Sequence, residues 1–352
     1  MNHVLLRPLS VAVCLLLTLA AGSAWAAPPL PQRIIAAENP DGEMREQMEE
    51  HSNRAMDGLL SADPEQIAEA RDDVVRTLEN DAATAGFLEA YSAMLTARLG
   101  EAIDHEELLV RVNAMIMLRG MVDQGSRAML TRGRADENPG VQRLAMQALH
   151  QRVLWWQEQG GNAQDINNAV NEVIALLNQR PAPHSIVVAP ALRLLYDVPG
   201  ARDALIQQII ERAALHTDDP NLSYAGERDI IARLAYDMSL NFSGAEAPGI
   251  IRAAFLYSQL ITNQLQADAI NNNARDDAIE MLRQSAQALG QICAGARKRP
   301  PADQTVAVSE WIPSAQWDDL ENLLMESWVP ILRTAPFGLD DQELGVEAEG
   351  DE

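Results

Sequence analysis

The stretch ENPGVQRLAMQAL, residues 137–149, constrains the fold more than any other part of the chain. Asn138 is a residue type that caps helix starts, and Pro139 suits the first turn, where a backbone N–H has no partner in any case. Val141, Leu144, Ala145, Ala148 and Leu149 then fall at i, i+3, i+4, i+7 and i+8, which is one face of a helix. Trp155 and Trp156 lie seven residues beyond Ala148 and Leu149, so the apolar face continues until Gly160 and Gly161 end it. Ala145 sits in the middle of the stripe. A small residue there lowers the helix ridge and lets a facing helix approach closely.

The same register, an apolar residue followed by Ala at +4 and Leu at +8, recurs along the chain. It is present at Val110, Ala114, Leu118, at Val141, Ala145, Leu149, and at Val187, Ala191, Leu195. Ile231, Ala235, Ser239 is a weaker copy, and Ala278, Leu282, Ala286 a shifted one. The starts at 110, 141, 187, 231 and 278 are separated by 31, 46, 44 and 47 residues. The last three intervals are near the period of a two-helix repeat. Each has room for one more helix: Ile166, Val170, Val173, Ile174 and Leu177 form one stripe, Leu205, Ile209 and Ala213 a poorer one, and residues 250–265 are apolar nearly all round. The short interval holds only SRAML, residues 126–130, enough for about two turns. Leu109, Val112 and Ile116 widen the stripe of their helix, as expected for a helix flanked on both sides.

These residues resemble HEAT-repeat α-solenoid proteins, whose inner helix tends to read Pro-x-Val-Arg-x-x-Ala-x-x-Ala-Leu. Pro139, Val141, Ala145, Ala148 and Leu149 match, with Gln142 in place of the Arg and Arg143 one residue late. Val110, Arg111, Ala114 and Leu118 match in LLVRVNAMIML, with Met117 for the second Ala, and Asp136 lies where the family often has an acid in the preceding turn. The resemblance is clearest over about residues 105–157 and is one of period alone through about 290. It implies an all-α chain forming a right-handed solenoid of stacked antiparallel helix pairs. An irregular helical bundle and a TPR-like array are the alternatives. In a stacked array no pair buries its apolar face alone, so neighbours must pack. The expected packing residues are Val110, Ala114, Leu118, Val141, Ala145, Leu149, Val187, Ala191, Leu195, Ile231 and Ala235.

The ends read differently. Arg7, an apolar run from Val11 to Ala21, and the small-x-small sequence Ala24, Trp25, Ala26 have the form of a signal peptide cut after Ala26. The run is short of the ~20 residues of a membrane span. Export to a periplasmic or extracellular location follows, and the scarcity of Lys beside abundant Ala and Arg fits a GC-rich bacterium. Residues 27–42 are Pro-rich and read as a linker, with the helical repeat domain over 43–335. Asp63 and Pro64 mark a helix start, with helices over about 64–80, 82–99 and 315–333, the last carrying Trp317, Leu320, Leu324 and Trp328. Residues 336–352 are acidic with little to bury and are expected to be disordered.

Charge and cysteine content narrow the function. Removing residues 1–26 takes Arg7 and no acid, so the formal charge moves from −24 to −25. Such a chain repels phosphate backbones, and a nucleic-acid partner is not expected. Cleavage also removes Cys14, leaving Cys293 without an intramolecular disulfide partner; its setting, LGQICAG, reads as a buried small hydrophobe. The histidines at 51, 105, 150, 184 and 216 do not fall in a metal motif: His105, Glu106 and Glu107 begin like a zinc-protease helix, but position 109 is Leu109. The acid pairs Asp72 and Asp73, Asp218 and Asp219, Asp276 and Asp277, Asp318 and Asp319 lack calcium-loop spacing and read as solvated faces. The tryptophans read as core rather than partner anchors. No catalytic, cofactor-binding or metal-binding residue is assigned, and no cofactor is expected. Two function classes remain: a non-catalytic scaffold for another exported or envelope protein, or an enzyme or enzyme accessory domain with an unrecognised active site.

Overall fold

The protein is described here from a computed structural model covering residues 28–161 and 163–346. The expected signal peptide and residues 347–352 lie outside the described residues. The fold is all-α: 73% of the described residues are helical, and no strand occurs among them. The chain divides into two compact units between Arg152 and Val153. Within each, helices pack against the helix two further along, and several also against their immediate successor.

The first unit contains α1 (Gln32–Ile35), α2 (Gly42–Leu59), α3 (Pro64–Leu78), α4 (Ala85–Ile103), α5 (Leu108–Leu118), α6 (Gln124–Arg134) and the first part of α7 (Pro139–Glu158). Helices α2, α4 and α6 form one row, and α3 and α5 a second. Side-chain caps fix where the helices begin. Asp41 accepts from the Met44 N–H at 2.9 Å, Asp63 from Glu65 at 2.9 Å with Pro64 in the first turn, Thr84 from Phe87 at 3.2 Å, and Asp123 from Ser126 at 3.1 Å. Each such cap contributes about 1 kcal/mol. Asn138 accepts from the Gly140 N–H at 2.8 Å, so α7 begins where its sequence indicates. The core between the rows is built from Met48, Leu59, Val74, Phe87, Leu95 and Leu99, all fully buried.

The second unit contains α8 (Ala163–Leu177), α9 (Ser185–Asp197), α10 (Arg202–Asp218), α11 (Ala225–Leu240), α12 (Ala247–Gln266) and α13 (Asn272–Gly295). Helices α9, α11 and α13 form one row, and α8, α10 and α12 the other. Beyond α13, α14 (Gln304–Val306) runs on into a π-helical turn, Ala307–Trp311. Helix α15 (Trp317–Asn322) continues through a π-helical stretch, Leu323–Trp328, into α16 (Val329–Leu332). Gln304 ties these pieces to the row: its side chain accepts from Trp328 Nε1 at 2.7 Å and donates to the Ala286 carbonyl at 2.5 Å.

The two ends correct the sequence reading. Residues 28–42 are not a free linker: Leu30, Ile34 and Ile35 are buried, and Thr84 donates to the carbonyls of Ile35 and Ala37. Two adjacent isoleucines between the prolines supply enough apolar surface to dock the segment. Residues 336–346 are likewise folded rather than disordered. Phe337, Leu339 and Leu344 are buried, Asp340 and Glu343 form a reciprocal capping box on α17 (Asp341–Leu344), and Gly345, at φ 64°, ends it in the left-handed region. The acids of this segment act as caps, and Arg252 Nε donates to the Glu343 carbonyl at 2.8 Å. The SRAML segment is also longer than expected, forming the 11-residue helix α6.

Candidate functional site

All eleven residues of the repeat register, from Val110 to Ala235, are buried at 1% exposure or less. They line the interior of the two units rather than a surface. In the weaker copy Ser239 is exposed and Met238 is buried instead. The motif residues Arg111 and Asp136, distant in sequence, meet as an ion pair at 2.9 Å with both side chains largely covered. Arg111 also donates to the carbonyls of His105 and Glu106, which ties the α4–α5 turn to the α6–α7 turn. Leu109 does not widen the stripe as expected. It is 43% exposed, beside Leu108 at 42%, on the outward side of the first turn of α5, whose Val110 is buried. Met115 and Met117 are buried instead.

Two groups of titratable side chains converge in the interior, and pattern reading missed both. In the first unit His51 lies between Asp73 and Tyr91. Its Nε2 is 3.1 Å from Asp73 Oδ2 and its Nδ1 is 2.7 Å from the Tyr91 hydroxyl. Burial, with the nearby Asp73 charge, pushes the Tyr91 phenol well above its ordinary value. Asp73 is therefore not a solvated acid, although its neighbour Asp72 is. In the same unit Arg152 is buried and donates to the Met121 and Asp123 carbonyls at 2.8 Å each, and to Ser126 Oγ. Burial lowers this guanidinium to about 10 against the pull of Asp123.

The second group is larger. Gln208, Arg212 and His216 stand at i, i+4 and i+8 on one face of α10, which the helix period brings into line. Glu227, from the first turn of α11, receives Arg212 Nε at 2.5 Å and His216 Nε2 at 3.2 Å on the same carboxylate oxygen. The His216 ring stacks on Tyr224 with centroids 4.0 Å apart and meets Tyr257 edge-on at 5.8 Å. Gln264 of α12 donates to the His216 carbonyl at 2.7 Å and accepts from the Tyr224 hydroxyl at 3.1 Å. Burial pushes the Glu227 carboxyl upward. The hydrogen bond from His216 and the charges of Arg212 and His216 outweigh that, and hold it below its ordinary value. Tyr224 and Tyr257 are raised by burial and by the same carboxylate. Asp277 closes the outer side: it accepts from Ser223 Oγ and the Tyr224 N–H at 2.8 Å each and pairs with Arg228 at 2.9 Å. Of the pair read as a solvated face, only Asp276 is solvated.

Chemically this is a clamp between α10, α11 and α12. Arg212, His216 and Glu227 are 0–3% exposed, and the carboxylate oxygen that reaches them is occupied by both. Among the described residues no group of three or more His, Cys, Asp or Glu is placed to hold a metal ion. Cys293 is buried and free, and burial raises its thiol to about 11. His105 accepts from the Glu107 N–H at 3.1 Å at the start of α5, and His184 caps α9. Of the tryptophans, Trp317 and Trp328 are core, while Trp155, Trp156 and Trp311 are half-buried.

The surface carries a different feature. Tyr236 and Leu240, one turn apart on α11, are 58% and 61% exposed, and Phe242 just beyond the helix is 36% exposed. No described helix is long and apolar enough to cross a membrane.

Comparison with family models and with curated proteins finds no match. Among solved structures the chain is similar to two engineered proteins from the Northeast Structural Genomics Consortium. One is 15% identical with a TM-score of 0.34, over 78% of this chain and 99% of that one. The other is 16% identical with a TM-score of 0.32, over 69% of this chain and 97% of that one.

Proposed function

We propose that this chain is a non-catalytic helical-repeat scaffold, exported by its N-terminal segment, that binds another exported or envelope protein. The observation that carries the reading is the contrast between interior and surface. The titratable groups that converge are sealed inside, with Arg212 and His216 both held on one oxygen of Glu227, whereas large apolar side chains, Tyr236 and Leu240 foremost, stand in solvent on a regular helix. Exposed aromatic and aliphatic side chains on a rigid element are what a partner surface needs, because they bring contact area at low ordering cost. The HEAT-like register supports the same reading, since stacked helix pairs present repeated helix faces to a partner. The test has two parts. N-terminal sequencing of the exported protein should find Ala27 as the first residue, and recovery only with an intact residue 1 would overturn export with cleavage. Cross-linking of the tagged full chain in the native cell envelope should give a defined protein adduct. The absence of any adduct would overturn the scaffold reading.

A further inference from the structure

The exposed apolar group on α11 lies beside a run of cations, the one place in this acidic chain where basic residues are adjacent: Arg297, Lys298 and Arg299. The C-terminal ends of α11 and α13 are pressed together, so that a Cβ built on Gly295 would meet Ser239 Cα at 3.3 Å. Tyr236 and Leu240 flank that crossing on α11. The cations follow Gly295 by two to four residues, just beyond the end of α13. Arg297 is held at φ 55° and the Lys298 N–H donates to the Cys293 carbonyl at 2.8 Å, so the turn that carries them is fixed by the helix ending. All three are exposed. None makes an ion pair among the described residues, and neither does Arg233, exposed one turn before Tyr236. Two acids near this end are already engaged: Asp237 accepts from Arg202 at 2.7 Å and from Tyr196 at 2.8 Å, and Glu246 is 3.5 Å from Arg202.

We propose that this surface, Tyr236, Leu240 and Phe242 rimmed by Arg233 and Arg297, Lys298 and Arg299, docks a short acidic segment of a partner protein that carries apolar anchors. The proposal rests on the scaffold reading and names the partner's chemistry. Cations at a helix C-terminus favourably meet the macrodipole, but one suffices for that. A run of three without acid partners exceeds it in a chain of net charge −24. The charge on this surface is thus opposite to that of the molecule, and its complement is an acidic ligand. A peptide fits better than an anionic bilayer. A bilayer is a plane, and would also have to approach the surrounding surface of a chain whose net charge is −24. A peptide meets only the charges within a screening length of about 8–10 Å.

The test is fluorescence polarisation of the full mature chain with a short labelled peptide alternating Glu or Asp with Leu or Phe. Controls are the same peptide with its acids replaced by amides, and phosphatidylglycerol vesicles. Binding of the acidic peptide that weakens with added salt and is lost in the amide peptide is expected. Lys298→Glu with Arg299→Glu, and separately Tyr236→Ser with Leu240→Ser, should each weaken it by about tenfold or more. Lys298→Arg should leave it intact. All these side chains are exposed, and unchanged thermal melts verify that the variants fold. No binding of the acidic peptide, equal binding of the amide peptide, affinity unmoved by both double variants, or binding of vesicles in place of the peptide would each overturn the proposal. An envelope adduct that both double variants retain would also overturn it, while leaving the scaffold reading standing.

Discussion

A Cβ placed on Gly133 would lie 3.0 Å from the Cβ of Ala145 and closer still to the thioether of Met115. Helices α6 and α7 therefore approach each other at two small residues, with a methionine of α5 filling the gap beside them. Ala145 is the small position in the middle of the stripe with which the sequence begins to be readable, and the contact explains its size.

Enlarging either residue should overpack this contact. Ala145→Leu is expected to cost about 1–3 kcal/mol in denaturant unfolding. Gly133→Ala should also destabilise, although Ala is the better helix former. The control is Arg143→Leu, which is exposed on the same helix and should stay within about ±0.5 kcal/mol. Equal small effects at 143 and 145 would mean that Ala145 is not a close-contact position.

The C-terminal segment gives a second test. Leu344 is fully buried, and α17 is tied back through Arg252. Leu344→Ala should destabilise the second unit by about 2–3 kcal/mol and expose residues 336–346 to limited proteolysis. A disordered tail would be cut equally fast in both proteins, and its loss of one leucine would not move the melting curve.

What the sequence revealed and what it hid follow from one distinction. Apolar positions at helical spacing are local, and so Val110, Ala114, Val141, Ala145, Val187 and Ala191 could be placed in the core from period alone. Cap residues are local too, as Asp63 and Asn138 illustrate. The clamp around Glu227 is not local. Gln208, Arg212 and His216 do lie at i, i+4 and i+8, which is a signal, but in a chain rich in charged helices that spacing usually marks a wet face. Only the packing of α12, which brings Tyr257 and Gln264 onto them, turns it inward. Likewise nothing near Asp73 announces His51 and Tyr91. The short segments at 28–42 and 336–346 failed for another reason: two or three apolar residues suffice to dock a strap on a core already formed.

Cys293 is fully buried with its thiol raised to about 11, so little thiolate is present at neutral pH. Native protein should react with a thiol-specific disulfide reagent orders of magnitude more slowly than denatured protein, with the rate tracking unfolding of the second unit. Rapid stoichiometric labelling under native conditions would contradict the packing of α13. The unreduced mature protein should have the mass of a monomer.

The sharpest prediction concerns Glu227. Its carboxyl is held below the ordinary value of 4.5 in the folded protein by His216 and Arg212, against the opposing effect of burial. A carboxyl depressed on folding binds fewer protons in the native than in the unfolded state. Its contribution is therefore fully present above the unfolded value, and is lost as pH falls from there through the folded one. Denaturant midpoints should thus fall below about pH 4.5 more steeply in the wild type than in Glu227→Gln. At neutral pH, Glu227→Gln leaves the Arg212 guanidinium buried beside a neutral amide and should cost about 3–5 kcal/mol. Replacing both partners, Arg212→Met with Glu227→Leu, removes the uncompensated charge and should recover much of that loss. A neutral-pH cost for Glu227→Gln below about 1 kcal/mol, or an unchanged acid limb, would mean that the carboxylate is solvated and that α10 and α11 are not joined through it.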